Sequence, residues 1–311
     1  KAEYLGLFIN MYLLYHMADG IRVDWGAYFA RYHVAWALIL VNLAVQYGLR
    51  LRRPGGTAWE KVHLKKSMAL LLAQAGVVLL MIPIYLITGA SLTFWALLFG
   101  ILATLLTRQL DELFPVDFSH LTERVMLYVV FTFGEMIVAI AGYFENGVDF
   151  SGIYFSLMAF GIVVGLFLSY GFLYEHILDR EQVTAGIGYM MIHIFLLAAL
   201  NFITAAMELM QMARVETGPK TAFLAASFLI YYFFLFSTRS YAKMQFPLRS
   251  RFVRNLLVIA AVFAALTALF YRNAWISIAL GVLLVYGVYF TIVREWNVAL
   301  CEQGEHPHSN R

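Results

Sequence analysis

The feature that most constrains this chain is a series of apolar runs, each about as long as a bilayer is thick. A helix crossing a roughly 30 Å hydrocarbon core needs about 20 mostly apolar residues. Ten stretches are candidates: 4–21, 27–49, 67–88, 91–107, 123–144, 151–174, 184–210, 221–238, 253–271 and 274–293. The first is interrupted by Asn10, His16 and Asp19, and the fourth is short. The apolar residues run continuously instead of alternating, which excludes a transmembrane barrel. In hydrocarbon every backbone N–H and C=O must be satisfied within its own segment, so the runs fold as helices. The expectation is an all-α, polytopic transmembrane helical bundle of about ten spans. A chain that is 62% hydrophobic and 13% charged has too little polar surface to cover a water-soluble globule. The single cysteine, Cys301, excludes an internal disulfide framework. A net charge of +3, spread along the chain, gives no basis for a nucleic-acid partner. The partner implied is the lipid bilayer, and a homo-oligomer or a partner subunit is compatible with it.

Lysine and arginine positions set the expected orientation. If ten spans alternate, one side receives Arg50, Arg52, Arg53, Lys61, Lys65, Lys66, Arg239, Lys243, Arg249, Arg251 and Arg254 from two loops. Lys1, Arg108, Arg124, Arg180, Arg294 and Arg311 join them. Only Arg22, Arg31, Arg214, Lys220 and Arg272 fall on the other side, so 17 of the 22 basic residues share one face. That places both termini in the cytoplasm of a multi-pass protein of the plasma membrane. Trp25, Trp95 and Trp275 fall at outer span ends and Trp296 at an inner one, as interfacial anchors do. Residues 1–294 are expected to form one transmembrane helical domain and 295–311 a polar cytoplasmic tail. The start shows no basic segment followed by a small-residue cleavage site, so no signal peptide is expected. Small residues recur at helical spacing in Gly161, Gly165 and Ser169, and again in Ala260, Ala261, Ala264 and Ala265, a pattern suited to helix–helix contact.

Ionisable groups inside spans cost roughly 2.5–3.5 kcal/mol even on the lenient insertion scale, so each needs a reason. One acid sits deep in a span: Glu135, about 18 Å from Glu123 at 1.5 Å per helical residue. His193 lies about 13 Å in from Thr184, and Asn42 about 12 Å in from Arg50. Gln74 is placed similarly after Lys66, and Asn10 and His16 bracket that depth on the first span. These residues form a candidate polar layer. A dry glutamate has a raised pKa and histidine titrates near neutrality, so Glu135 and His193 together suit proton or ion handling. Hydrogen-bonded glue between helices is the structural alternative.

A second constellation sits at the cytoplasmic mouth: Arg108, Asp111, Glu112, Asp117, His120, Glu123 and Arg124. His120, Glu123 and Arg124 share one helix face by their spacing. Arg124 and Glu135, eleven residues apart, lie within about 20° on a 3.6-residue helix. The side chains of Asp117, His120 and Glu123 suit a metal, but their spacing matches no metal motif. A helix cap with salt bridges is the simpler reading, and no metal site is assigned.

The run His120-Leu121-Thr122-Glu123-Arg124, followed by Phe133-Gly134-Glu135, resembles the signature of the bacterial low-temperature-requirement A (LtrA) family. That pattern is a histidine, a Glu-Arg pair, then an apolar stretch ending in Gly-Glu. Pro115-Val116-Asp117-Phe118 fits it, as does Tyr189-Met190-Met191-Ile192-His193 preceded by Gly186 and Gly188. Family members typically open with a Glu-Leu-Phe-Phe-Asp run, whereas this chain reads Glu3-Tyr4-Leu5-Gly6-Leu7-Phe8-Ile9-Asn10 and lacks that acid pair. The resemblance implies a multi-spanning bacterial inner-membrane protein, with His120, Glu123, Arg124, Glu135 and His193 as family positions. It implies no reaction.

Three functional classes follow. The first is a proton-coupled transporter or channel for a small ion or solute, with Glu135, His193, Asn42, Gln74 and His16 in an intramembrane site and Arg108, Asp117, His120, Glu123 and Arg124 at its mouth. The second is a membrane enzyme or cofactor carrier. His16 and His193 would suit a haem, but no motif specifies a cofactor, and no nucleotide loop, serine nucleophile or acidic metal cluster is present. The third is a non-catalytic scaffold or subunit. A retinal receptor is excluded, because no lysine lies deep in a span.

Overall fold

The computed structural model describes residues 5–6, 8–13, 25–52, 54–106, 116–144, 147–212, 216–243 and 250–302. They are almost entirely helical, with a single antiparallel bridge between Leu178 and Ala242. Nine long helices are described: α1 Trp25–Leu51, α2 Ala58–Thr88, α3 Thr93–Leu106, α4 Phe118–Ala141, α5 Phe150–Phe172, α6 Ile187–Gln211, α7 Thr217–Ser237, α8 Ser250–Leu269 and α9 Ala274–Glu302. All but α3 are long and apolar enough to cross a membrane, giving eight candidate spans. Helix α3 has 14 residues and reaches about 21 Å, short of a full hydrocarbon core. The expected first span, 4–21, lies mostly outside the described residues; 5–6 and 8–13 are helical. The expected start of the tail at 295 falls inside α9, which continues to Glu302.

Helix ends follow local chemistry. The side chains of Thr57, Asp117 and Asp149 accept hydrogen bonds from the N–H groups of Glu60, His120 and Gly152, at 3.1, 3.1 and 2.8 Å. These are N-caps that satisfy donors with no intrahelical partner. Asp117 starts α4 at Phe118, five residues before the apolar run at 123. Gly186, at φ 71°, starts α6 at Ile187, three residues later than expected. A side chain at 186 would meet Leu121 and Val116, so both backbone and space require glycine there.

The chain divides into two compact units, Lys1–Phe114 and Pro115–Arg311. In the first, α1 packs along α2 and α2 along α3. Phe29, Ala37, Ala75, Val78, Met81 and Ala96 form its core. In the second, α6 packs on α7, α5 on α9, α9 on α8, and α4 on α6 and α5. Its core includes Val129, Ile162, Leu166, Leu196, Leu200, Ile203, Phe228, Ile278 and Val285.

The first small-residue stripe is a packing surface: Gly161 and Gly165 of α5 receive Val282 and Val285 of α9. The second does not pack within its unit. Ala261, Ala264 and Ala265 are exposed on α8, which buries Phe252 and Phe263 instead. Small residues permit close approach, but the bulky apolar face of α8 has more area to bury, and it faces the core. The two glycines of α5 differ in tolerance. An added Cβ at 165 would fall 2.5 Å from Val285 Cγ2, whereas at 161 it would sit 3.7 Å from Val282. Gly165→Ala therefore destabilises the protein by about 1–3 kcal/mol through overpacking, and Gly161→Ala is near neutral. Thermal melting of the two variants in detergent measures the difference.

Candidate functional site

His193 lies in α6, 2% exposed, with both ring nitrogens engaged. Nδ1 is 2.9 Å from the carbonyl of Tyr189, one turn back on the same helix. A carbonyl only accepts, so Nδ1 carries the proton and Nε2 is the acceptor. Nε2 is 3.3 Å from the hydroxyl of Tyr170 on α5, which therefore donates. The Tyr189 ring lies 4.1 Å from the imidazole and 5.3 Å from Tyr241, and Tyr170 stacks toward Tyr174 at 6.3 Å. Tyr170, Tyr174, Tyr189 and His193 line a cavity of about 30 Å³, which continues between Leu178, Leu235, Arg239 and Ala242. That volume admits about one water and no larger solute. Both ring nitrogens of His193 are engaged, so neither is free for an iron.

The start of α4 is built onto the same end of the unit. The N–H of Val116 donates to the carbonyl of Thr184 at 3.1 Å, and the Phe118 ring meets Tyr189 at 5.2 Å and Tyr241 at 5.5 Å. Asp117 caps the helix. Arg124 Nε donates to His120 Nε2 at 3.0 Å, leaving the Nδ1 proton on the side where Glu123 lies 3.8 Å away. His120, Glu123 and Arg124 thus form one exposed cluster, as their spacing implied. Among the described residues no group of three or more His, Cys, Asp or Glu side chains is disposed to hold a metal.

Glu135 and His193 are not brought together. The two helices start side by side, yet Glu135 is about 25 Å along α4 and His193 about 9 Å along α6. The early cap at Asp117 and the late start at Ile187 pull apart two depths that looked similar in the sequence. Glu135 also sits on the exposed side of α4, with Arg124, Tyr128, Phe131 and Val138. The buried side carries Val129, Phe133 and Met136.

In the first unit, Asn42 Nδ2 donates to Asn10 Oδ1 at 2.8 Å and to the carbonyl of Gly6 at 2.9 Å. Gln74 serves a different seam: Nε2 donates to the Ala96 carbonyl at 2.7 Å, and the amide rests against Gly100. These contacts tie helices together. His16 and Arg108 lie outside the described residues.

Over residues 1–288 the chain matches the family model described as bacterial low temperature requirement A protein (LtrA). The chain belongs to the LtrA family. No curated protein and no solved structure matches it. Of the residues that carry the resemblance, His120, Glu123 and Arg124 gather at the start of α4 and Glu135 lies on the same exposed face, while His193 points into the core.

Sequence reasoning missed the tyrosines around His193. The signal was present in the i, i+4 spacing of Tyr170 with Tyr174 and of Tyr189 with His193, which places each pair on one face. It also missed His33, fully buried in the first unit of this LtrA chain. His33 repeats the geometry of His193: Nδ1 lies 2.8 Å from the Phe29 carbonyl and Nε2 3.0 Å from Thr93 Oγ1. Lys220 is a further buried group, donating to the carbonyls of Met210 and Met212 at the C-terminal end of α6 at 3.2 and 3.0 Å. At the signature end, Asp117→Ala removes an N-cap and lowers stability by about 1 kcal/mol, while Asp117→Asn retains it. Thermal melting of both variants checks this.

Proposed function

We propose that this LtrA protein is a proton-coupled transporter or channel for a small ion or solute, with His193 and Tyr170 as its proton-handling pair. The observation that carries the reading is a buried imidazole whose acceptor nitrogen faces a tyrosine hydroxyl at the wall of a water-sized cavity. An imidazole and a hydroxyl can each both give and take a proton. A proton reaching the cavity passes to Nε2 as the Tyr170 hydroxyl rotates, while Nδ1 keeps its bond to the Tyr189 carbonyl and fixes the ring. In this reading the basic loops face the cytoplasm of a bacterial inner membrane, and Asp117, His120, Glu123 and Arg124 lie at the cytoplasmic approach. Glu135, Asn42, Gln74 and His16 are further polar groups whose part in the route is tested one at a time.

The test is proton flux in proteoliposomes, read with a pH-sensitive dye under an imposed gradient. A positioned proton-transfer group typically contributes about a hundredfold or more, so His193→Gln reduces flux by that order. Tyr170→Phe removes only the hydroxyl and reduces flux less. Wild-type flux in His193→Gln overturns the reading.

A second reading, a subunit or scaffold without transport of its own, is favoured by the exposed position of Glu135. An acid at membrane depth costs roughly 2.5–3.5 kcal/mol against hydrocarbon, so a polar partner surface would relieve it. Under that reading Glu135→Gln weakens a stoichiometric association on a native gel and leaves flux at the wild-type level. Under the transport reading with Glu135 in the route, flux falls and the association persists.

A further inference from the structure

The end of α5 departs from ordinary helix. Its last turn widens into a π-turn, Leu173–Ile177, where the N–H of Leu178 reaches back to the Leu173 carbonyl at 2.9 Å. Such turns are rare and concentrate at functional positions. The chain then runs extended and meets the segment that follows α7. The N–H of Asp179 donates to the Tyr241 carbonyl, and the N–H of Lys243 to the Ile177 carbonyl, both at 2.9 Å. Leu178 and Ala242 face each other between those bonds. This pairing borders the His193 cavity: Ile177, Leu178, Thr238, Arg239 and Ala242 line it together with Tyr170, Tyr189 and His193. One side chain holds the arrangement from outside the pairing. The Arg180 guanidinium lies 4.2 Å from the centre of the Tyr174 ring, and its Nη2 donates to the Tyr174 carbonyl at 3.3 Å.

We infer that residues 178–180 and 241–243 form a strap closing the mouth of the His193 cavity, with the Arg180–Tyr174 clamp as its latch. The inference rests on the proposed role of that cavity and adds its regulation. Two backbone bonds, one side-chain hydrogen bond, one cation–π contact and the ring contacts of Tyr241 are few ties compared with the continuous ladders of the helices on either side. The cavity beside the strap is about 30 Å³, room for about one water, so in this inference a larger occupant enters when the strap lifts. Tyr189 touches both the strap, through Tyr241, and the imidazole, so movement of one is felt by the other.

Access of a water-soluble methanethiosulfonate reagent to the cavity tests the strap without any transport assay. In a Cys301→Ser background, Leu235→Cys places a thiol in the cavity wall. Ser227→Cys places one, equally buried, about 12 Å further along α7 as a control for general loosening. Arg180→Ala raises the labelling rate at 235 by about tenfold, the effect of losing one partly desolvated cation–π contact, and leaves 227 unchanged. Arg180→Lys keeps the charge but not the planar face, and gives most of the same increase. Equal rates at 235 with and without the latch, or a parallel rise at 227, overturn the inference. A lock provides the second arm. Residues 178 and 242 form a wide antiparallel pair with Cα atoms about 4.5 Å apart, within disulfide range. Leu178→Cys with Ala242→Cys therefore blocks flux when oxidised and recovers it with dithiothreitol; undiminished flux in the oxidised protein overturns the strap. If the wild type carries no flux while labelling still depends on Arg180, the transport reading falls and the strap stands.

Discussion

The closure of polar groups in a medium without water governs this structure. Backbone groups are satisfied within helices, and side chains that carry polar atoms into the core return them to a nearby carbonyl. His193 donates to the Tyr189 carbonyl, His33 to that of Phe29 and Ser169 to that of Gly165, while Thr221 donates to the Ser277 hydroxyl. Lys220 is the extreme case, a buried ammonium held against carbonyls at the end of α6. A cation is well placed there, because the helix dipole leaves its C-terminal end partly negative. The same rule makes the two histidines alike. Each has its Nδ1 proton committed to the carbonyl one turn earlier, which leaves Nε2 to interact with a hydroxyl from a neighbouring helix.

That commitment gives His193 its chemical character. The imidazole is fixed in one tautomer, with its acceptor nitrogen on a hydroxyl beside a small cavity. The surrounding tyrosines are apolar on their faces and polar at their tips, so they fill the core and still line the cavity with hydroxyls. The cavity lies at the end where α4, α6, the π-turn of α5 and the segment after α7 converge. Three irregular features meet there: the Asp117 cap, the Gly186 turn and the Leu178–Ala242 bridge. Irregular backbone in a membrane protein is tolerated where protein covers it or it borders a cavity.

Glu135 shows how far one-dimensional depth can mislead. Measured along the sequence, it and His193 seemed to share a level, because each was counted from the start of an apolar run. The helices begin elsewhere. Asp117 extends α4 backward by one and a half turns, and the Gly186 turn delays α6 by most of one. Rotation added a second separation: Phe133 and Met136 took the core face, which turned Glu135 outward. The cluster of His120, Glu123 and Arg124 was legible because its members lie within two turns of one helix, where i, i+3 and i+4 geometry holds without reference to any neighbour. The tyrosine shell of His193 comes from several segments and had no such shortcut.

By itself the sequence determined the all-helical, membrane-crossing character of the protein, its LtrA membership and the local cluster at the start of α4. These depend on apolar run length, on the need to satisfy backbone groups within a segment, and on spacing along a single helix. Only the tertiary structure decided that Tyr170 and Tyr189 are the partners of His193 and that Glu135 stands apart from it. It also set Leu178 opposite Ala242 beside that cavity. Each of those facts is a distance between segments, set by where caps start the helices and which face of each has the most apolar area to bury.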